Sequence, residues 1–219
     1  MMASNNLVVS EIFESIQGES TYAGCRCVFV RLAGCNLDCV YCDTGYAREQ
    51  EAGTRMTVGQ VAQSVAEYGC RLVEVTGGEP LCQPLTIELL AGFVESKYTV
   101  LLETNGSLDI RDVPPGVVRI VDIKTPSSGM AEQNLWTNMD ALEPTDEVKF
   151  VVGDRADFDW AAGIIDRYEL SHRVTVNISP VTDRISPAEL ARWIIGDKLD
   201  VRLNLQLHKL IWPEKDRGV

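Results

Sequence analysis

CVFVRLAGCNLDCVYC (27–42) is the stretch that decides the fold. Its first half is a short, β-branched apolar run, the composition of a buried strand. At Gly34 it breaks into a polar loop that carries three cysteines. The same unit, an apolar run ending in a polar loop, recurs downstream. Runs lie at RLVEVTG (71–77), YTVLLET (98–104), VVRIVDIK (117–124), EVKFVVG (147–153), RVTVNIS (173–179) and VRLNLQL (201–207). Several read as continuous apolar segments, as expected for parallel strands covered on both faces. Helix-like segments separate most of them. Residues 57–68 place apolar side chains at helical spacing and close on Gly69; 86–96 and 158–168 look similar. Ser186-Pro187-Ala188-Glu189 reads as a helix start, with Ser as N-cap, Pro first and Glu completing a capping box. The repeat of roughly 27 residues is the size of a strand-plus-helix unit. The rhythm predicts an α/β fold, a parallel β/α barrel or an open part of one. A chain of 219 residues fits one domain, 1–219.

Polar motifs follow the ends of these runs. GCNLDCVYC follows the first, GGEP (77–80) the second, NGS (105–107) the third, KTPSSG (124–129) the fourth, SPV (179–181) the sixth and HK (208–209) the last. In a parallel barrel the C-terminal strand ends share one face, and that face carries the active site. Chance would scatter such motifs over both ends. The bulk properties agree with a folded chain that has a real core. Hydrophobic residues make up 45% of the chain, and the net charge of −12 disfavours a phosphate backbone as partner. No apolar run is long enough to span a membrane, and MMASNNLVVSEIF has no secretory pattern. A cytoplasmic protein without nucleic-acid or membrane partners is expected.

Cys35, Cys39 and Cys42 have the spacing C-x3-C-x2-C. Three thiolates on one tight loop can hold three irons of a cubane and leave the fourth open to an exchangeable ligand. Asn36, Asp38 and Asp43 interleave with them, which argues against a core segment. Zinc is the competitor, because Cys25, Cys27 or a histidine could complete a four-ligand site. Tyr41 could pack on a planar cofactor ring. Gly77-Gly78-Glu79-Pro80 alone would be a plain turn. After a strand, it offers close backbone approach at its glycines and a carboxylate at Glu79 for a cationic amine.

The cysteine spacing with an aromatic before the last cysteine, together with GGEP, resembles the radical S-adenosylmethionine superfamily. A narrower resemblance covers nearly the whole chain: EIFESIQGE (11–19), FVRLAGC (29–35), Cys42-Asp43-Thr44, VTGGEP (75–80), ETNG (103–106), DIKTP (122–126) and QLHK (206–209). These segments are similar to the 7-carboxy-7-deazaguanine synthase family. The resemblance implies a reduced, open version of the superfamily barrel, usually as a homodimer. It implies a lyase of the queuosine and deazapurine routes that converts 6-carboxy-5,6,7,8-tetrahydropterin to 7-carboxy-7-deazaguanine with loss of ammonia. Cys35, Cys39 and Cys42 would hold a [4Fe–4S] cluster. Tyr41, Cys42, Asp43, Gly78, Glu79, Lys124 and Ser179 would contact S-adenosylmethionine, and Thr44 would hold Mg2+. Ile16, Gln17, Gly18, Arg31 and Thr76 match the family's substrate-binding stretch. Arg31 is a charge in an apolar strand, to be paired with a substrate carboxylate or an acidic neighbour. His208, at the end of the last run, could touch substrate or simply be satisfied by backbone.

By the same resemblance the cofactor carries the radical chemistry and no side chain is assigned as catalytic. A flavodoxin or ferredoxin would donate the electron. Two other readings stay open: an enzyme that plants a radical on a partner protein, which has no need of EIFESIQGE or Arg31, and a non-catalytic zinc-binding module. Cys25, Cys27, Cys70 and Cys82 read as small, mostly buried residues. Residues 127–145 show no clean helical period.

Overall fold

The structure is a computed structural model and describes residues 5–215 and 217–219. Its strands are β1 (Leu7–Ile16), β2 (Arg26–Leu32), β3 (Thr54–Met56), β4 (Leu72–Gly77), β5 (Thr99–Thr104), β6 (Val117–Ile123), β7 (Glu147–Val152), β8 (Thr175–Pro180) and β9 (Arg202–Leu203). Its helices are α1 (Val58–Glu67), α2 (Leu85–Glu95), α3 (Arg155–Arg167), α4 (Pro187–Gly196) and α5 (Leu207–Ile211). The strands form one sheet in the order β3-β1-β2-β4-β5-β6-β7-β8-β9. From β2 to β9 all neighbours are parallel; β1 is antiparallel to both β2 and β3. The two edges of the sheet do not pair, so this is a partial, open β/α barrel, as expected.

Local signals explain the helices. Thr57 caps α1 in a full capping box, accepting from Gln60 N while Gln60 Oε1 accepts from Thr57 N at 2.8 Å. Gly69, at φ +63°, ends the turn. Asp154 caps α3 by accepting from Asp157 N, so that helix begins three residues before its apolar period becomes visible. At α4 the Ser186 hydroxyl accepts from Glu189 N, with Pro187 at the first position.

The parallel strands are not continuous apolar runs in their use. Val73 and Val75, Val100 and Leu102, Val121 and Ile123, Val148 and Phe150, and Val176 and Ile178 pack with Leu89, Leu90, Phe93, Phe158, Ile165 and Leu190 in the main core. The alternate positions face the other way, and there Glu74, Thr76, Glu103, Asp122 and Lys149 line a cavity. Each buried core side chain contributes about 1.5–3 kcal/mol. That apolar outer face is what allows an ionisable inner one.

Two expectations are corrected, and the missing helical period of residues 127–145 is explained. The run 201–207 is a strand only at Arg202–Leu203. Asn204 then turns away to bond Ser179 Oγ and Ser20 N, and the chain enters α5, so His208 and Lys209 lie on a helix. Residues 127–145 are largely short 3-10 turns (Pro126–Ser128, Ala131–Gln133, Trp136–Ala141), which have no 3.6-residue period. Cys25 is exposed and Cys82 half-buried, whereas Cys27 and Cys70 are buried.

The hairpin loop between β1 and β2 reaches from one part of the sheet to the far part. Gly18 O accepts from Leu207 N at 3.0 Å and Ser20 N donates to Asn204 Oδ1 at 3.1 Å. Thr21 N and Oγ1 both donate to the buried Glu147 carboxylate on β7. Through these bonds the loop helps to close the open barrel.

Candidate active site

The cavity on the inner face has a volume of about 460 Å3. Cys35, Cys39 and Cys42 open into it, as do Ile16, Gln17, Gly18, Arg31, Tyr41, Asp43, Thr44, Thr76, Gly78, Lys124 and His208. Fourteen residues singled out in the sequence therefore meet in one space. Glu79 and Ser179 do not line it. The fully buried Glu79 carboxylate accepts from Leu81 N, Thr104 Oγ1 and Asn105 N at 3.0, 2.8 and 2.7 Å. Ser179 is buried behind Asn204.

The cysteine loop is held by backbone. Gly34, at φ +97°, donates to Ala47 O; Cys35 N donates to Arg48 O, and Val40 N to Ser128 O. The glycines of GGEP serve this packing. A Cβ at Gly78 would lie 2.6 Å from the Gly34 carbonyl carbon and 3.0 Å from Cys35 Cβ. One at Gly77, where φ is +143°, would lie 2.5 Å from Leu32 N. What Gly77 admits so closely is the backbone at the end of β2, and what Gly78 admits is the start of the cysteine loop. Leu37 N donates to Cys35 Sγ at 3.4 Å, and Asn105 Nδ2 lies 3.8 Å from the same sulfur. Burial raises the Cys35 and Cys39 thiols, while the Lys124 ammonium pulls the other way. Among the described residues no three Cys, His, Asp or Glu side chains converge on one ion. Three cysteines lining the cavity, with amide donors on the Cys35 sulfur, fit a cubane, in which each thiolate binds its own iron.

Arg31 lies in the wall, its Nε donating to Glu11 Oε1 at 2.8 Å. Tyr46 donates to the same oxygen at 2.6 Å, and Arg217 stacks on the Tyr46 ring at 4.1 Å. Arg31 thus has an acidic neighbour and also faces the cavity. Thr44 stands at the N-cap of a 3-10 turn but makes no capping bond with its side chain. Tyr41 donates to Val151 O at 3.0 Å, with Arg184 over its ring. At the mouth, burial would raise Asp43, but its ion pair with Lys209 at 3.0 Å brings the carboxyl down to about 2. Burial lowers His208, assisted by Lys209 and Lys149 against Glu19 and Asp43, which favours the neutral ring. Gly18 packs on that ring: a Cβ there would come within 2.5 Å of His208 Nδ1.

The sequence reading missed the ionisable floor. Lys149 Nζ bonds Glu19 at 2.8 Å and Glu103 more closely still, with Asp122 at 3.7 Å. Lys124 bonds Asp122 at 2.9 Å. Burial would lower Lys149, but Glu103, Glu19 and Asp122 hold it well above the usual range. Burial would raise Glu103, but Lys149, Lys124 and Thr76 keep it low. Gln17 Nε2 donates to Glu74. Glu74, Glu103, Asp122 and Lys149 each interrupt an apolar run, and that interruption was the available signal.

The radical SAM superfamily matches over residues 30–121. The 7-carboxy-7-deazaguanine synthase of Chlorobaculum tepidum is 46% identical over 216 residues, covering 97% of both chains. The chain belongs to the 7-carboxy-7-deazaguanine synthase family. The synthases of Koribacter versatilis and Clostridium acetobutylicum are 41% and 40% identical, each over at least 96% of both chains. Among solved structures, QueE from Escherichia coli has a TM-score of 0.76 over 92% of this chain and 94% of that one, at 21% identity, which supports the fold. Streptococcus suis SuiB bound to S-adenosylmethionine has a TM-score of 0.51 over 78% of this chain and 44% of that one, at 13% identity. As a radical S-adenosylmethionine enzyme, a lyase of deazapurine biosynthesis, the chain uses a [4Fe–4S] cluster and S-adenosylmethionine. Family membership decides against the zinc module and the protein-activating enzyme. No helix among the described residues is long and apolar enough to cross a membrane.

Proposed function

We propose that this enzyme contracts 6-carboxy-5,6,7,8-tetrahydropterin to 7-carboxy-7-deazaguanine, releasing ammonia, on the route to queuosine. The observation that carries the reading is 46% identity to a named synthase over nearly the full length of both chains. Cys35, Cys39 and Cys42 would hold the cluster, with Tyr41, Cys42, Asp43, Gly78 and Lys124 around S-adenosylmethionine. When bound, these groups supply one-electron reduction and hydrogen-atom abstraction. The protein's own part is positioning. Glu79 fixes Asn105 beside Cys35, and Ser179 fixes Asn204, which in turn holds Glu19. Arg31 keeps its terminal nitrogens for a substrate carboxylate while Glu11 orients it through Nε. Thr44, whose hydroxyl is not used for capping, would contribute a hard oxygen to Mg2+. Ile16, Gln17, Gly18, Thr76 and neutral His208 would complete the substrate site. A homodimer reduced by a flavodoxin or ferredoxin in the cytoplasm is part of the proposal.

The test is turnover under anaerobic conditions with reconstituted enzyme, a reductant, S-adenosylmethionine, Mg2+ and the carboxypterin. Formation of 7-carboxy-7-deazaguanine supports the reading. Cleavage of S-adenosylmethionine without any deazaguanine overturns it.

A further inference from the structure

Neither the sequence motifs nor the family relationship assigns a role to Glu74 or Phe29, yet both line the cavity. Their place in the sheet is defined. Arg31 on β2 is in register with Thr76 on β4, and one pleat below them Phe29 is in register with Glu74. Residues two apart on a strand share a face and are separated by about 6.6 Å, close to the length of a fused bicyclic ring. The upper layer holds the cation suited to a carboxylate. The lower layer holds an aromatic ring, a carboxyl and the Gln17 amide. Phe29 is fixed by stacking on Phe13, with centroids 5.0 Å apart. Glu74 and Gln17 are each 4% exposed and hydrogen-bonded to each other. Gln17 Oε1 is engaged by Glu19 N at 3.0 Å, so the amide cannot turn over. Among the described residues only Oε2 of Glu74 has a side-chain partner, and the other oxygen is left for a ligand. No structural need explains a carboxyl here, since an apolar side chain would pack beside Phe29 without desolvating a carboxylate.

We infer that Glu74, on the floor formed with Phe29 and Gln17, is the specificity-determining residue that reads the amino-pyrimidinone edge of the substrate. This rests on the proposed function and assigns the end of the substrate opposite the carboxylate. Of the two ligand donors, the ring N–H and the exocyclic amino group, one takes the free Glu74 oxygen; the other shares Oε2 with Gln17 Nε2 through its second lone pair, and Phe29 covers one ring face. Glu103, Lys149, Glu19 and the Cys27 thiol are the titratable groups near Glu74. Burial, Glu103 and Glu19 raise its pKa well above the usual range, so the empty site holds the carboxyl protonated, and two donors on a ligand would favour its ionised form.

The experiment compares binding of 6-carboxypterin and 6-carboxylumazine, which carries a 2-oxo in place of the 2-amino group, to anaerobically reconstituted enzyme. Wild type should prefer the pterin by about tenfold or more, because the lumazine sets an oxygen against a carboxylate. Glu74→Gln should weaken pterin binding about tenfold and bring the preference close to unity, with iron content unchanged. Should Glu74→Gln not fold, Glu74→Asp takes its place: a retained preference with weaker binding supports the inference, and wild-type affinity overturns it. A Glu74→Gln protein that keeps the wild-type preference overturns this inference alone. A wild type that binds neither ligand overturns the proposed substrate class and this inference with it.

Discussion

Replacing Gly78 by Ala tests whether GGEP is part of the cysteine loop's support. The added Cβ would stand 2.6 Å from the Gly34 carbonyl carbon and 3.0 Å from Cys35 Cβ. Carbon atoms at their optimum are about 3.5 Å apart or more, so the loop must retreat by about 0.9 Å. Two backbone bonds cross this contact, Gly78 N to Leu32 O at 3.0 Å and Glu79 N to Gly34 O at 2.8 Å. Stretching both, at about 1 kcal/mol each, together with the overpacking gives a loss of about 2–3 kcal/mol. For a chain of this size that lowers Tm by about 5–10 °C. The larger effect falls on the sulfurs, because a site displaced by about 1 Å loses its geometry. Iron and acid-labile sulfide after anaerobic reconstitution, with scanning fluorimetry of the metal-free protein, measure both. Gly78→Ala should fold and hold less than about half of the roughly four irons per chain expected of wild type. A variant with about four irons and an unchanged Tm would refute the argument.

Other consequences concern the charged floor and the rim. Lys149→Met strips the counter-charge from Glu19, Glu103 and Asp122 and should destabilise the protein by about 3–5 kcal/mol, read from denaturant midpoints; a change below about 1 kcal/mol would count against the network. Glu74 keeps its proton in the folded state above its unfolded pKa, so its contribution is complete at low pH and is lost as pH rises toward the folded value. The Tm advantage of Glu74→Gln over wild type should therefore grow between about pH 5 and pH 8; a constant difference would contradict the raised pKa. Thr44→Ala should leave Tm within about 1 °C, since the hydroxyl caps nothing, while abolishing the Mg2+ dependence of turnover. Unchanged Mg2+ dependence would remove Thr44 from the metal site.

The strands were legible because β-branched runs with turn residues at both ends leave little choice, and six of the seven run where they were expected. The exception, VRLNLQL, alternates like a strand, but Asn204 uses its amide on Glu19, Ser179 and Ser20 and ends the pairing. β1 was read only as a motif, because its Ser and Glu residues break the apolar run that marks a buried strand. β3 is three residues long and carries no pattern of its own. The cysteine rim was readable from spacing. The floor was not, because Glu74, Glu103, Asp122 and Lys149 were absorbed into apolar runs. Only the pleat of the sheet reveals that they share one face. The pairing of Lys149 with Glu19, 130 residues apart, depends on how the β1–β2 loop crosses to β7, which local sequence does not encode.

The central claim is a ring contraction carried out in one cavity with cysteines at its rim and a pterin-sized pocket beneath. The most direct measurement is the mass balance of a single anaerobic incubation, with carboxypterin, deazaguanine, ammonia and S-adenosylmethionine quantified together. The account predicts one 7-carboxy-7-deazaguanine and one ammonia for each carboxypterin consumed, over many turnovers for each S-adenosylmethionine lost. Consumption of S-adenosylmethionine with the pterin recovered intact would contradict it.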